Sequence, residues 1–206
     1  MEREFTFISA VLLATAGTTS AVAGARCHFS DVDLDALVSD MLDKMPEEWA
    51  MQPGFTKTLI PGVEIGGANV TGLHLLRRYG PLLPYCDNGT RMIHFDLVNR
   101  GGGIQISFPW QLFCSGNGGI VGLAVGFTRI TVPLRIDGSG TDAKLSLEGP
   151  VTPVAIEGIH LRLTGAGTQL EEAFAMIGKL APTHQREEWN RLFFTTMYDV
   201  FGKTLD

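Results

Sequence analysis

Between residues 120 and 136 the chain reads IVGLAVGFTRITVPLRI, with apolar side chains alternating with small or polar ones. The run is roughly three times the commonest strand length. Its apolar positions are odd in the first half (Val121, Leu123, Val125, Phe127) and even in the second (Ile130, Val132, Leu134, Ile136). Strand side chains alternate between faces, so keeping all eight on one face needs one extra residue near Thr128 and Arg129, which is a β-bulge. A bulge bends and twists its strand, so the pattern predicts a sheet that curves around something.

Period two persists from Val63 to about Thr164. Ile93, Phe95 and Leu97 alternate with His94 and Asp96, and Ile104, Ile106, Phe108, Trp110 and Leu112 alternate with Gln105, Ser107, Pro109 and Gln111. Leu145 and Leu147, then Ile159, Leu161 and Leu163, mark further short strands. Asn88-Gly89 and Gly101-Gly102-Gly103 read as turns between runs, which predicts an antiparallel meander with one apolar face.

Helical spacing brackets this sheet. Ser30 and Asp33 are spaced as a capping box, followed by Leu34, Leu37, Val38, Met41, Leu42 and Met45 on one face, with Asp35, Asp40, Asp43 and Lys44 opposite. Pro46 either ends that helix near Lys44 or kinks it onward to Trp49. Thr168 and Glu171 repeat the capping-box spacing at the head of TQLEEAFAMIGKLAP, which stops before Pro182. A last segment places Trp189, Leu192, Phe193, Thr196, Met197, Val200 and Phe201 on one stripe. The order helix, long sheet, helix, helix predicts an α+β domain: an elongated roll in which a strongly curved antiparallel sheet wraps around the amphipathic N- and C-terminal helices.

Within the 206 residues, Phe5 to Ala16 form an apolar run too short to span a bilayer, followed by Ala-x-Ala sites ending at Ala23 and Ala25. This reads as a signal peptide over residues 1–23, ahead of one domain over 24–206, and predicts a secreted, extracellular protein. The acidic start Glu2-Arg3-Glu4 leaves a short N-terminal anchor as the alternative. The formal charge of −6 argues against nucleic acid and against anionic membranes, both of which need clustered Lys and Arg. The one adjacent basic pair, Arg77-Arg78, is expected at a solvated strand edge.

An oxidising compartment favours pairing two of the three cysteines. Cys86 and Cys114 each follow a predicted strand, and in a meander those ends share one edge, so Cys86–Cys114 is the expected disulfide and Cys27 is left over. An intervening strand would hold the two Cα atoms about 10 Å apart, so the bridge requires converging strand ends. Two sequons, at Asn69 and Asn88, are candidate glycosylation sites, with Asn88 favoured by its turn sequence.

Motif-bearing chemistry is sparse. There is no His-Glu-x-x-His, Gly-x-Ser-x-Gly, Walker loop or close cysteine pair. Gly138-Ser139-Gly140 reads as a hairpin turn, and Gly165 and Gly167 as a loop entering a helix at positive φ. His74, His94 and His160 each fall in predicted strands. His94 and Asp96 share a face, which allows a local pair but not an acid–base site without further members. No catalytic residue, metal or cofactor is expected.

That order of elements, with NVTGLHLLRRYG, NGTRMIHFDLV and the closing LTGAGTQLEEAF and its Trp-Leu-Phe helix, resembles the group 7 mite allergens and related tick secreted proteins. These belong to the tubular lipid-binding superfamily, which also holds bactericidal/permeability-increasing protein and juvenile-hormone-binding proteins. The likeness spans about residues 30 to 203 and rests on pattern more than on invariant motifs. It implies a curved sheet around a long helix, an apolar pocket between them, lipid-like ligands and no catalysis. This acidic chain departs from the basic endotoxin readers of that superfamily, which argues against anionic endotoxin as its ligand.

The expected function is therefore a secreted, non-enzymatic protein that binds or carries a lipid or other apolar small molecule. The alternative is an extracellular interaction or immune-modulatory protein that recognises a host or microbial surface with no internal ligand. Register alone nominates Leu37, Met41 and Met45 on the first helix, Phe108, Trp110, Leu123 and Phe127 on the sheet, and Phe193 and Met197 on the last helix as ligand-facing residues. No nucleic acid and no stable membrane insertion are expected.

Overall fold

A computed structural model describes residues 27–99 and 103–205, so the predicted signal peptide lies outside the described residues. The chain opens with α1 (Leu34–Asp43) and continues through β1 (Glu48–Ala50), β2 (Thr56–Ile60), β3 (Val63–Gly66), β4 (Asn69–Thr71), β5 (Leu76–Asp87), β6 (Thr90–Asn99), β7 (Ile104–Leu112), β8 (Gly118–Asp137), β9 (Lys144–Leu147) and β10 (Thr152–Thr164). It closes with α2 (Thr168–Leu180) and α3 (Pro182–Leu205). The strands form one antiparallel sheet, so the α+β order of terminal helices around a long sheet stands.

The helix ends follow local chemistry. Asp33, not Ser30, caps α1, its carboxylate accepting from the Ala36 N–H at 3.0 Å. Lys44 closes that helix, and after Pro46 the chain turns into β1 instead of carrying the helix to Trp49. Gly167 precedes α2, and Glu171 reaches back to the Ala166 N–H at 3.2 Å. Pro182 opens α3, where a missing N–H costs nothing.

The central strand is β8, and its partners explain the shape. Residues 120–125 pair with both β10 and β7, and residues 129–131 with both β10 and β6. A strand has two edges, so β10 lies along one while β6 and β7 lie end to end along the other. β6 and β7 therefore do not pair with each other as a hairpin, because both run antiparallel to β8, and the turn expected at Gly101-Gly102-Gly103 lies, except for Gly103, outside the described residues. The Asn99 side chain spans the break, donating to the Gly126 carbonyl at 2.9 Å and accepting from the Thr128 N–H at 2.5 Å, in place of the missing ladder.

The predicted change of register along β8 occurs, slightly earlier than its spacing suggests. Leu123 and Val125 are buried on odd positions and Thr128, Ile130, Val132, Leu134 and Ile136 on even ones, while Gly126 and Phe127 both face out. The extra residue against β10 is carried by β10 itself, between Pro153 and Ala155. The sheet is not strongly curled. Its β5 and β10 margins do not pair with each other, so it covers the helices on one side without closing into the expected roll.

The end-to-end path also corrects the disulfide. Cys86 lies opposite Arg91 at the β5–β6 turn, near the Asp137 end of β8, whereas Cys114 follows β7 near the Gly118 end. At ~3.3 Å per residue, the intervening strand separates these ends by roughly 50 Å. Cys86 instead bonds Cys27, and Cys114 is free and exposed.

One core joins the elements. Trp189, Phe193, Met197, Val200 and Phe201 of α3, and Val38 and Met41 of α1, cluster with Ile93, Phe95 and Leu97 of β6, Ile104 and Ile106 of β7, and the even positions of β8. The stripe predicted on α3 is thus the face that meets the sheet. Arg78 pairs with Asp35 of α1, and the Arg77 guanidinium donates to the His74 and Leu76 carbonyls. The arginine pair therefore holds structure together at its strand end. His74 sits in a short 3-10 turn, not a strand.

Candidate ligand-binding site

Beside α3, where the core stripe meets solvent, a groove of about 410 Å³ opens between the helix and the sheet. Phe108 of β7 and Leu192 of α3 face it, with Met51, Phe55 and Ala68 completing an apolar wall and Gln52, Arg191, Thr195 and Thr196 supplying the polar rim. Such a lining, mostly apolar with a few polar groups, is what small-molecule sites present.

The sequence builds this wall from a segment that reads as a Pro- and Gly-rich connection. Residues 51–55 turn on Gln52 (φ 51°) and Gly54 (φ 79°), with the Phe55 N–H bonding the Gln52 carbonyl at 3.0 Å. The turn is fastened to residues 66–68 by Met51 N–H to Ala68 O at 2.8 Å and Gly67 N–H to Phe55 O at 3.0 Å. A Cβ on Gly67 would stand 2.4 Å from the Met51 carbonyl oxygen, so only glycine lets the two segments approach this closely.

The helix side is largely self-satisfied. The Thr196 hydroxyl donates to the Leu192 carbonyl at 2.7 Å and that of Thr195 to the Arg191 carbonyl at 3.2 Å. Arg191 pairs with Glu188 at the solvent edge. The wall thus offers an apolar ligand little polar competition, with one guanidinium at the rim.

The nine residues nominated by register fall in five different settings. Phe108 lines this groove. Leu37 and Met41 line a different cleft of about 320 Å³ whose other side chains include Asp40, Lys44 and Lys144, a more highly charged setting. Met45, Leu123, Phe193 and Met197 are buried in the core cluster and line none of the clefts described here. Trp110 is half-buried, its indole N–H donating to the Thr164 carbonyl at 3.1 Å. Phe127 is 36% exposed because the register change leaves it outside the core face. Met51, Phe55, Gly67 and Ala68 escape periodicity altogether. Their signal is the Gly66-Gly67-Ala68 run of small residues, which marks a close backbone approach.

The two sequons differ in setting. Asn88 is exposed at the β5–β6 turn with φ 48° beside Gly89 at φ 85°, the turn geometry that suits Asn-Gly. Asn69 is half-buried in β4, and its side-chain amide donates to Glu48. Among the described residues, no group of three or more His, Cys, Asp or Glu side chains could hold a metal ion. Among the same residues, no helix is long and apolar enough to cross a membrane. Comparison with known proteins returns no matching family model and no matching curated sequence.

Proposed function

We propose that this is a secreted, non-enzymatic protein that binds or carries a lipid or similar apolar small molecule in the groove between α3 and the sheet. The supporting observation is the groove itself: Phe108, Leu192, Met51 and Phe55 converge on about 410 Å³ beside a helix whose hydroxyls are already satisfied. The Cys27–Cys86 disulfide is in keeping with an oxidising compartment. The likeness in element order to the group 7 mite allergens and the wider tubular lipid-binding superfamily supports the same reading.

A second reading, an interaction protein that recognises a host or microbial surface, is favoured by α2. Leu170, Met176, Ile177 and Leu180 on that helix are all exposed, Leu180 to 81%. Large apolar patches on a protein surface mark sites of interaction with proteins or membranes.

One experiment separates the two. The protein is purified from a secreting host, extracted with organic solvent and analysed by mass spectrometry, and N-phenylnaphthylamine fluorescence is titrated on wild type, Leu192→Arg and Phe108→Ala. The carrier reading expects co-extracted lipid and probe binding that Leu192→Arg abolishes. Absence of extractable lipid, together with probe fluorescence indifferent to both substitutions, overturns it.

A further inference from the structure

We propose that the helix-free face of the sheet carries a separate binding site for a neutral, hydroxylated ligand, the hexose units of a glycan, in the cleft where β5 lifts away from β6. Tyr79 faces Asp96 and Leu83 faces His94, so Gly80, Pro81 and Leu82 stand opposite Phe95 alone. Gly80 takes φ 81° and Pro81 brings no N–H to the ladder. The displaced chain opens about 320 Å³ above the sheet.

The floor of this cleft follows from period two. Ile93, Phe95 and Leu97 are buried, so His94 and Asp96 point to the opposite face, where Arg129 and Thr131 of β8 join them. His94 and Asp96 share this face without a direct hydrogen bond, and the partners of Asp96 come instead from Arg129 and Thr131 of the neighbouring strand.

The cleft's charge selects its ligand. Arg129 donates to the Asp96 carboxylate through Nε at 2.8 Å and through Nη2, and the Thr131 hydroxyl donates to the other Asp96 oxygen at 2.5 Å. Burial alone would raise the Asp96 pKa, but the Thr131 hydrogen bond and the Arg129 hydrogen bond and charge outweigh it, with His94 adding to them, and hold the carboxyl below its ordinary value. The resulting pair is ionised and internally neutral. A phosphate or carboxylate would meet Asp96, and a cation would meet Arg129. A sugar hydroxyl accepts from one donor and donates to another acceptor, so it suits both.

The walls complete the match. The Arg129 guanidinium lies 5.0 Å from the Tyr79 ring centroid, which fixes its plane. Its Nη1 has no hydrogen-bond partner among the described residues. Tyr79, Leu83 and, beyond the cleft, Tyr85 are 49%, 56% and 42% exposed along β5. Aromatic and aliphatic surfaces of this kind receive the C–H face of a pyranose while the floor reads its hydroxyls.

Saturation-transfer NMR with maltotetraose, cellotetraose, chitotetraose and mannotetraose tests this site, with inorganic phosphate and an unstructured polypeptide as competitors. At least one tetrasaccharide is expected to bind, with affinity reduced about tenfold or more by Tyr79→Ala and by Arg129→Lys. Leu192→Arg leaves this binding intact, which keeps the outcome separate from that of the α3 groove. Cooperative thermal melting and an unchanged circular-dichroism spectrum show that the two cleft variants are folded. The proposal is overturned if no tetrasaccharide binds at millimolar concentration, if both cleft variants bind like wild type, or if phosphate or the polypeptide occupies the cleft in preference to sugar.

Discussion

The indole nitrogen of Trp49 donates to the carboxylate of Asp199 at 3.2 Å, joining β1 to α3 across 150 residues of sequence. Lys203 stands over the same ring at 5.2 Å and pairs with Asp199 at 3.2 Å. Trp49 immediately precedes the segment that walls the groove, so this contact sets where the wall stands. Trp49→Phe keeps the ring and loses the donor. We expect a loss of about 1.5–3 kcal/mol, the range for a hydrogen bond to a charged group, together with weaker N-phenylnaphthylamine binding. Urea unfolding and a probe titration on the same variant measure both.

The disulfide makes a sharp contrast between two cysteines. Cys27 and Cys86 are 59 residues apart, and loop entropy alone assigns about 4 kcal/mol to closing such a loop in the unfolded chain. Cys86→Ser should therefore lower stability by about 2–5 kcal/mol. Cys114→Ser should change it by less than about 0.5 kcal/mol, as exposed substitutions do, and should remove the one thiol that reacts with iodoacetamide in the native protein. Non-reducing peptide mapping checks the bond directly.

Core and groove should respond differently to truncation on α3. Phe193 is fully buried, so Phe193→Ala should cost about 3–5 kcal/mol. Leu192, one residue earlier and half-buried at the groove, should tolerate Arg with a loss of about 1 kcal/mol while abolishing probe binding. Denaturant midpoints compared with probe affinities separate the two.

Asp96 gives the outer face a pH signature. Its folded pKa lies below the unfolded value, so its contribution to stability is fully present above the unfolded value of about 3.8 and is lost as pH falls through the folded pKa. Asp96→Asn should flatten the stability profile on the acid side of pH 4 and lower stability at neutral pH by leaving Arg129 unpaired. Thermal melts from pH 2 to 7 on both proteins test the sign.

Glycan occupancy should follow the two asparagine environments. When the chain is made through a glycosylating secretory route, Asn88 at its exposed turn should carry the glycan. Asn69, whose amide is engaged with Glu48 inside the sheet, should not. Peptide mass mapping of wild type and Asn88→Gln checks it, and retention of a glycan on the variant contradicts it.

The sequence by itself determined the terminal helices, the long central strands and most of their buried faces. Helical spacing named Trp189, Phe193, Met197, Val200 and Phe201 before any contact was known, because a helix that must bury one side repeats apolar residues near every 3.6 positions. Period two likewise assigned Ile93, Phe95 and Leu97 to the core and His94 and Asp96 to the other face. Only the tertiary structure decided what lay beside what. Periodicity carries no information about which strand edge pairs with which, so it could not show that β6 and β7 run end to end along β8. The corrected cysteine pair and the absence of a β6–β7 hairpin both follow from that gap. The groove at Phe108 and Leu192 depends on a turn fastened by backbone hydrogen bonds, and the outer cleft on a bulge that gathers residues from three strands. Both are products of long-range packing, whose partners lie too far apart along the chain for local spacing to reveal.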